Sequence, residues 1–289
     1  MSQNISLEEI KKFWPEDAPD IQNVQKYVSK YIKEKIVIKY GGNVLIDRGV
    51  FNNFILDISI LNKLGLSVII VHGGGPRIKR ELDKKKIESK FIDGLRVTDK
   101  NIINVVEEVL IDFNNDIVQN LKKLGSNAVS FHTKNNNIIE VEPEREELGF
   151  VGIPKKIDDQ LIERALNNNE VPIIAPLGLG QNNQTYNING DTAASAIAKK
   201  LKSRRLILMT NIEGVLDKEK NLIAEINSSK ILKMIKDETI TGGMIPKINT
   251  CLDAVNNGVT GVVIVDGRKP HSILFEIFSD KGAGTLIRK

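Results

Sequence analysis

"VIIVHGGGPRI", Val68–Ile78, sets an apolar run against three consecutive glycines and then a proline. The β-branched run has the make-up of a strand buried on both faces. Pro76 suits the first turn of a helix. Glycine, however, weakens strands and helices alike. Three in a row mean that something approaches the backbone closely, or that the backbone takes angles open only to glycine. The same order occurs upstream. "KIVIKYGG", Lys35–Gly42, reads as a strand over Ile36–Lys39 that ends in Gly41 and Gly42, ahead of a helical pattern over Arg48–Leu64. Strand, glycine turn and helix, twice over, is the alternation of a mainly parallel sheet covered by helices. Such sheets bind ligands at the C-terminal ends of their strands. Glycine turns present consecutive N–H groups there, and each following helix adds its positive end. The two turns together can cradle one anion.

The alternation continues along the chain. Asp99–Lys123 and Asp158–Asn167 read as helices, and Val171–Leu179 as a single strand closing a first lobe. Asn127–Phe131 and Ile138–Glu142 read as a hairpin with Asn135–Asn137 at its tip. An alanine-rich helix over Asp191–Leu201 precedes a strand over Arg205–Thr210, and "GVVIVDG" (Gly261–Gly267) reads as the last buried strand. A short helix over His271–Ser279 and a tail, "GAGTLIRK", follow. At the other end, Ile21, Val24, Tyr27, Val28, Tyr31 and Ile32 give Asp20–Lys35 one apolar helical face ahead of the first core strand. The reading is a three-layer αβα sandwich in two lobes, 35–180 and 181–289, sharing one sheet, with an N-terminal helical extension over 1–34.

With 41% hydrophobic but only 5% aromatic residues, the core must be mostly aliphatic. A net charge of +4 from 41 basic and 37 acidic residues does not argue for nucleic acid. A single cysteine, Cys251, excludes an internal disulfide and fits a reducing cytoplasm. The N-terminus lacks the apolar core of a signal peptide, and no apolar run is long enough to span a membrane. There is no Walker loop, and "GLGQNN" at Gly178 fails the dinucleotide fingerprint at its sixth position.

Seven stretches, in order along the chain, carry a more specific likeness. They are "VIKYGGN" (Val37–Asn43), "VHGGGP" (Val71–Pro76), "DGLRVTD" (Asp93–Asp99), "NINGDTAASAIA" (Asn187–Ala198), "TNIEGVLD" (Thr210–Asp217), "GGMIPK" (Gly242–Lys247) and "DGRKPHSILFEIFSDKGAGT" (Asp266–Thr285). The chain resembles the acetylglutamate kinases of the amino acid kinase family. The resemblance implies that ATP phosphorylates the γ-carboxylate of N-acetyl-L-glutamate, the second step of arginine biosynthesis. The chemistry is consistent with the composition. A carboxylate with a pKa of about 4.3 is already ionised at neutral pH and needs no general base, which suits a chain with three histidines. What the reaction needs is neutralisation of phosphate charge by lysines, Mg2+ and backbone N–H groups.

By resemblance, Lys39 and Lys247 stabilise the transition state from opposite sides, and Asp191 holds both lysines. Read from the sequence alone, Asp191 is also a candidate N-cap of the alanine-rich helix. Gly41, Gly42 and Gly74 would bind phosphoryl oxygens through their N–H groups. Gly74, Gly75, Arg96 and Asn187 would hold the acceptor, Arg96 through its α-carboxylate. Thr210, Asn211, Gly214, Val215, Gly243 and Met244 would border ATP. Mg2+ would be held by phosphates and water, with no protein ligand. His72 reads as a satisfied strand-end histidine.

The resemblance to arginine-inhibited members implies a hexamer, a trimer of dimers interlaced through the N-terminal helix, with L-arginine bound near Glu276, Gly282 and Gly284. Two stretches depart from the family pattern: "SFHTKNNN" (Ser130–Asn137), and Val263, where inhibited members carry histidine. Kinases of aspartate, glutamate, carbamate or uridylate share the glycine turns and lysines. A carrier-bound aminoadipate substrate and a non-catalytic arginine or nucleotide sensor stay open as alternatives.

Overall fold

The structure, a computed structural model, describes residues 7–41 and 47–289. Its helices are α1 (Leu7–Lys11), α2 (Val24–Tyr31), α3 (Arg48–Lys63), α4 (Gly75–Lys84), α5 (Lys100–Lys123), α6 (Asp159–Asn167), α7 (Gly190–Lys200), α8 (Ser228–Lys236), α9 (Met244–Asn256) and α10 (Ser272–Phe278). The strands begin with β1 (Lys35–Tyr40), β2 (Ser67–His72), β3 (Phe91–Ile92), β4 (Leu95–Arg96), β5 (Ala128–Phe131), β6 (Ile139–Pro143) and β7 (Gly152–Ile157). They continue with β8 (Val171–Ile174), β9 (Leu177–Leu179), β10 (Thr185–Asn187), β11 (Arg205–Thr210), β12 (Glu225–Asn227), β13 (Val262–Asp266) and β14 (Gly284–Arg288).

Eight strands form one sheet in the order β12-β14-β13-β11-β1-β2-β8-β5. All neighbours are parallel except β13 and β14. The central strands alternate between two cores. Ile36, Ile38, Ile70, Ile207 and Val265 face α3, α5 and α10, whereas Val37, Ile69, Leu208 and Ile264 face α6, α7 and α9. Burial on both faces is why these strands read as unbroken apolar runs. The sandwich of helix, sheet and helix is therefore present. The C-terminal ends of β1, β2, β11 and β13 lie along one edge of the sheet. Among the described residues no helix is long and apolar enough to cross a membrane.

Three sequence expectations are corrected. The segments Asn127–Phe131 and Ile138–Glu142 do not form a hairpin. β5 pairs in parallel with β8 at the sheet edge, while β6 joins a second sheet, β10-β9-β6-β7. A tight turn, bonded between His132 and Asn135, switches the chain between the sheets. Val171–Leu179 is not one strand either. The chain leaves the large sheet at Ala175-Pro176, and β9 pairs antiparallel with β10. The tail is a strand, β14, antiparallel to β13.

The N-terminal helix packs within the chain: Val24, Tyr27 and Tyr31 are buried in the same core as α10. Tyr27 Oη donates to Asp280 at 2.6 Å, and Trp14 packs edge-on against Phe278 at 5.5 Å. Within the chain this face packs against α10.

Candidate active site

Lys39 is the penultimate residue of β1, and its side chain lies over Gly41 and Gly190. A Cβ on Gly41 would collide with the lysine side chain, and one on Gly190 would lie 3.2 Å from its Cε. The two glycines make room for the side chain. Asn189 caps α7 by accepting from the N–H groups of Asp191 and Thr192 at 2.9 and 3.1 Å. The N-cap is thus Asn189 and not Asp191. Asp191 stands in the first turn of α7, at the positive end of the helix dipole.

Its carboxylate lies between two ammonium groups, Lys39 Nζ at 2.8 Å from Oδ1 and Lys247 Nζ at 2.5 Å from Oδ2. Burial alone would push the pKa of Asp191 up. The charges and hydrogen bonds of Lys39 and Lys247 outweigh it and hold the carboxyl well below the usual range. Two cations around one anion leave a net positive charge in a largely buried place, a fitting seat for an anion.

Within the glycine triplet the steric demand falls on Gly74. None of Gly73, Gly74 and Gly75 takes a positive φ. Gly73 N–H donates to the Tyr40 carbonyl at 2.6 Å, which joins the ends of β1 and β2. A Cβ on Gly74 would run into the Leu110 side chain. Gly75 begins α4, and a Cβ there would meet only open space. His72 is fully buried. Its Nδ1 meets the Gly73 carbonyl at 2.9 Å and its Nε2 meets the Asn114 amide at 3.2 Å. Burial pushes its pKa down to about 4, so the ring is neutral and structural. Gly42 lies outside the described residues.

A cleft of about 190 Å3 opens beside Lys39, lined by Gly74, Gly75, Arg96, Asn187 and Gly190 among others. Arg96 is buried at the end of β4, with its guanidinium 4.7 Å from the Phe91 ring centre and bonded to Ser89 Oγ. No carboxylate forms an ion pair with it among the described residues, and burial lowers its pKa. A buried guanidinium that faces a cleft, with Asp83 acting on it only at a distance, suits an anionic ligand. Asn187 is fixed by its backbone N–H, which donates to the Phe150 carbonyl at 2.9 Å.

A larger cavity of about 760 Å3 lies between the segment after β11 and the start of α9. Of the residues expected at ATP, Gly214, Val215 and Met244 line it; Thr210, Asn211 and Gly243 do not. Thr210 ends β11 and Gly243 caps α9. Asp217, the end of the "TNIEGVLD" stretch, lines it too, whereas sequence reasoning missed Lys218, Thr239 and Arg268 on its wall. Arg268 is held in a two-pronged pair by Asp266, at 2.9 and 2.7 Å. The polar run Asp237–Thr241 just before "GGMIPK" was the legible sign of this wall.

Far from the cleft, Glu276 is buried on α10. It accepts from Ala283 N–H at 3.0 Å. Gly282 permits this with a φ of +66°, and any side chain there would press on Glu276 Oε2. Burial raises the pKa of Glu276 despite that bond and the nearby Arg205 and Lys30. Gly284 stands apart from this pair, packed against the Ile264 carbonyl within β14. Val263 is wholly buried in β13.

Known proteins bear on this arrangement. The amino acid kinase family matches residues 34–266. An acetylglutamate kinase from Pelagibacter ubique is 54% identical, with 98% of each chain covered. Another, from Clostridioides difficile, is 46% identical over 91% of this chain and 94% of its own. Among solved structures, a Streptococcus mutans UA159 protein superposes with a TM-score of 0.75 at 32% identity, covering 89% of this chain and 99% of that one. The N-acetylglutamate synthase of Neisseria gonorrhoeae, complexed with coenzyme A and N-acetyl-glutamate, shares the fold. Its TM-score is 0.84 at 21% identity, covering 93% of this chain and 62% of the longer synthase. From site, fold and sequence together, the chain belongs to the amino acid kinase family, within its acetylglutamate kinase branch.

Proposed function

We propose that the chain transfers the γ-phosphoryl group of ATP to the γ-carboxylate of N-acetyl-L-glutamate, giving N-acetyl-L-glutamyl 5-phosphate and ADP. The observation that carries this is the Lys39–Asp191–Lys247 cluster, with the 190 Å3 cleft of Arg96 beside Lys39 and the 760 Å3 cavity reaching Met244, one helical turn before Lys247. The acceptor occupies the cleft, its α-carboxylate end on Arg96 and Asn187, with the backbone of Gly74 and Gly75 against it. ATP occupies the larger cavity, with its phosphates directed to Lys39, Lys247, Gly41 and Gly42. The lysines neutralise charge on the phosphoryl group in flight, and Asp191 sets their spacing.

Mg2+ accompanies ATP and offsets phosphate charge. The carboxylate nearest the lysines is already taken by two ammonium groups, which leaves the metal to phosphates and water. Trapping the acyl phosphate as a hydroxamate tests the reading. Product is expected with acetylglutamate. Product only with aspartate or UMP would overturn it.

The same reading places the chain in the cytoplasm, in arginine biosynthesis, with L-arginine as feedback inhibitor near Glu276 and Gly282. The buried Glu276 carboxylate beside Arg205 and Tyr31 supports that effector site. A hexamer of three dimers, and the division into 1–34, 35–180 and 181–289, rest on the family resemblance. Mass measured by light scattering with and without arginine tests the assembly.

A further inference from the structure

We propose that Glu107 is a positioning residue for the acceptor, tying the strand that carries Asn187 to helix α5; this rests on the reading of Asn187 as an acceptor contact. Glu107 lies on α5, one turn before Leu110, whose side chain abuts Gly74 at the cleft wall. Its side chain is only 14% exposed. Oε1 accepts from Thr133 Oγ1 at 2.6 Å and from Thr185 Oγ1 at 2.9 Å, and Lys134 Nζ lies 3.2 Å from Oε2.

These partners come from two places. Thr133 and Lys134 belong to the turn that carries the chain from β5 toward the second sheet. Thr185 opens β10, and two residues later Asn187 enters the cleft. Asn189 then caps α7, on which Asp191 holds both lysines. β10 is three residues long and pairs with the equally short β9. Even with the backbone bond from Asn187 to Phe150, so short a ladder fixes a strand weakly. The bond from Thr185 to a charged carboxylate adds a stronger anchor. Burial would favour the neutral acid, but Thr133, Thr185 and Lys134 lower the pKa, so the anchor is ionised at neutral pH.

Steady-state kinetics on the full chain, with acetylglutamate and ATP varied separately, test the inference. Glu107→Ala and Thr185→Val are expected to raise KM for acetylglutamate about three- to tenfold, the scale of one lost hydrogen bond. In both, kcat and KM for ATP should stay within about twofold. Glu107→Gln keeps an amide oxygen that accepts from both hydroxyls and should recover most of the loss. Thr133→Val leaves the tie to β10 intact and should shift KM less than about twofold. An unchanged KM for acetylglutamate in Glu107→Ala and Thr185→Val would overturn the inference. So would a joint loss of kcat, both KM values and the melting temperature, which would make Glu107 a scaffold residue only. Thr185→Val replaces one hydroxyl by a methyl and serves if Glu107→Ala does not fold. A wild-type chain inactive on acetylglutamate would overturn the substrate reading and this inference with it, and it is measured first.

Discussion

At Asp191 the charge balance decides the local chemistry. Without this carboxylate, Lys39 and Lys247 would face each other as like charges in a partly buried place. We expect Lys39→Ala and Lys247→Ala each to lower kcat about 10²–10³-fold in folded protein, the usual effect of removing one preorganised donor. Near-wild-type turnover in either would show that the phosphoryl group passes elsewhere. The pKa of Asp191 is depressed in the folded state, so its stabilising contribution is full above its unfolded value of about 3.9 and fades as pH falls through the lower folded value. The kcat–pH profile should therefore show no acid limb from Asp191 above about pH 5, and Asp191→Asn should not remove any limb that is seen there. For Arg96→Ala, whose guanidinium is remote from the transferring group, KM for acetylglutamate should rise with KM for ATP nearly constant. A selective loss of ATP affinity would place the acceptor elsewhere.

Among the elements, α10 joins more of the molecule than its seven residues suggest. His271 precedes it in a left-handed conformation, with Nδ1 2.5 Å from Asp57 Oδ1 on α3 and Nε2 3.3 Å from Asp17. The Asp57 hydrogen bond raises the pKa of His271. A histidine whose pKa is raised on folding stabilises fully below its unfolded value and loses that contribution as pH rises through the folded one. The melting temperature of the wild type should thus exceed that of His271→Gln by a margin that shrinks as pH rises above the ordinary histidine value of about 6.5. A margin independent of pH would show that the pair is not linked to protonation. Elements of this kind were unevenly legible. The helices α5 and α6 were readable to within a residue because Asp99 and Asp158 are sequence-visible caps. The strands β1, β2, β11 and β13 were readable because burial on both faces leaves an apolar run. β14 and the split of β8 from β9 were not, since their pairing depends on distant partners. Lys39, Asp191 and Lys247 were readable through motif resemblance. Glu107 carried no motif and became visible only when Thr133 and Thr185 met it in space.

For the whole molecule, the N-terminal arm belongs to the core and is no free handle. Deleting residues 1–33 removes Val24, Tyr27 and Tyr31 from the interior. At roughly 1.5–3 kcal/mol for each buried apolar side chain, the truncated chain should melt many degrees lower or fail to fold. A truncation with unchanged melting temperature would mean that the arm docks elsewhere, on a neighbouring copy.

The central place of β1 also matters while the chain is being made. Its partner on one side, β2, follows soon after, but the partner on the other side, β11, is synthesised only after residue 205. Until then the nascent chain carries an unpaired, apolar strand edge, and the N-terminal arm waits for α10 to emerge. Such an edge is a template for mispairing. Translation arrested at residue 180 should therefore leave a chain that is readily cut by protease and held by chaperones. Release of the full-length chain should bring protection of both ends in one cooperative step, measurable by limited proteolysis of arrested and released chains.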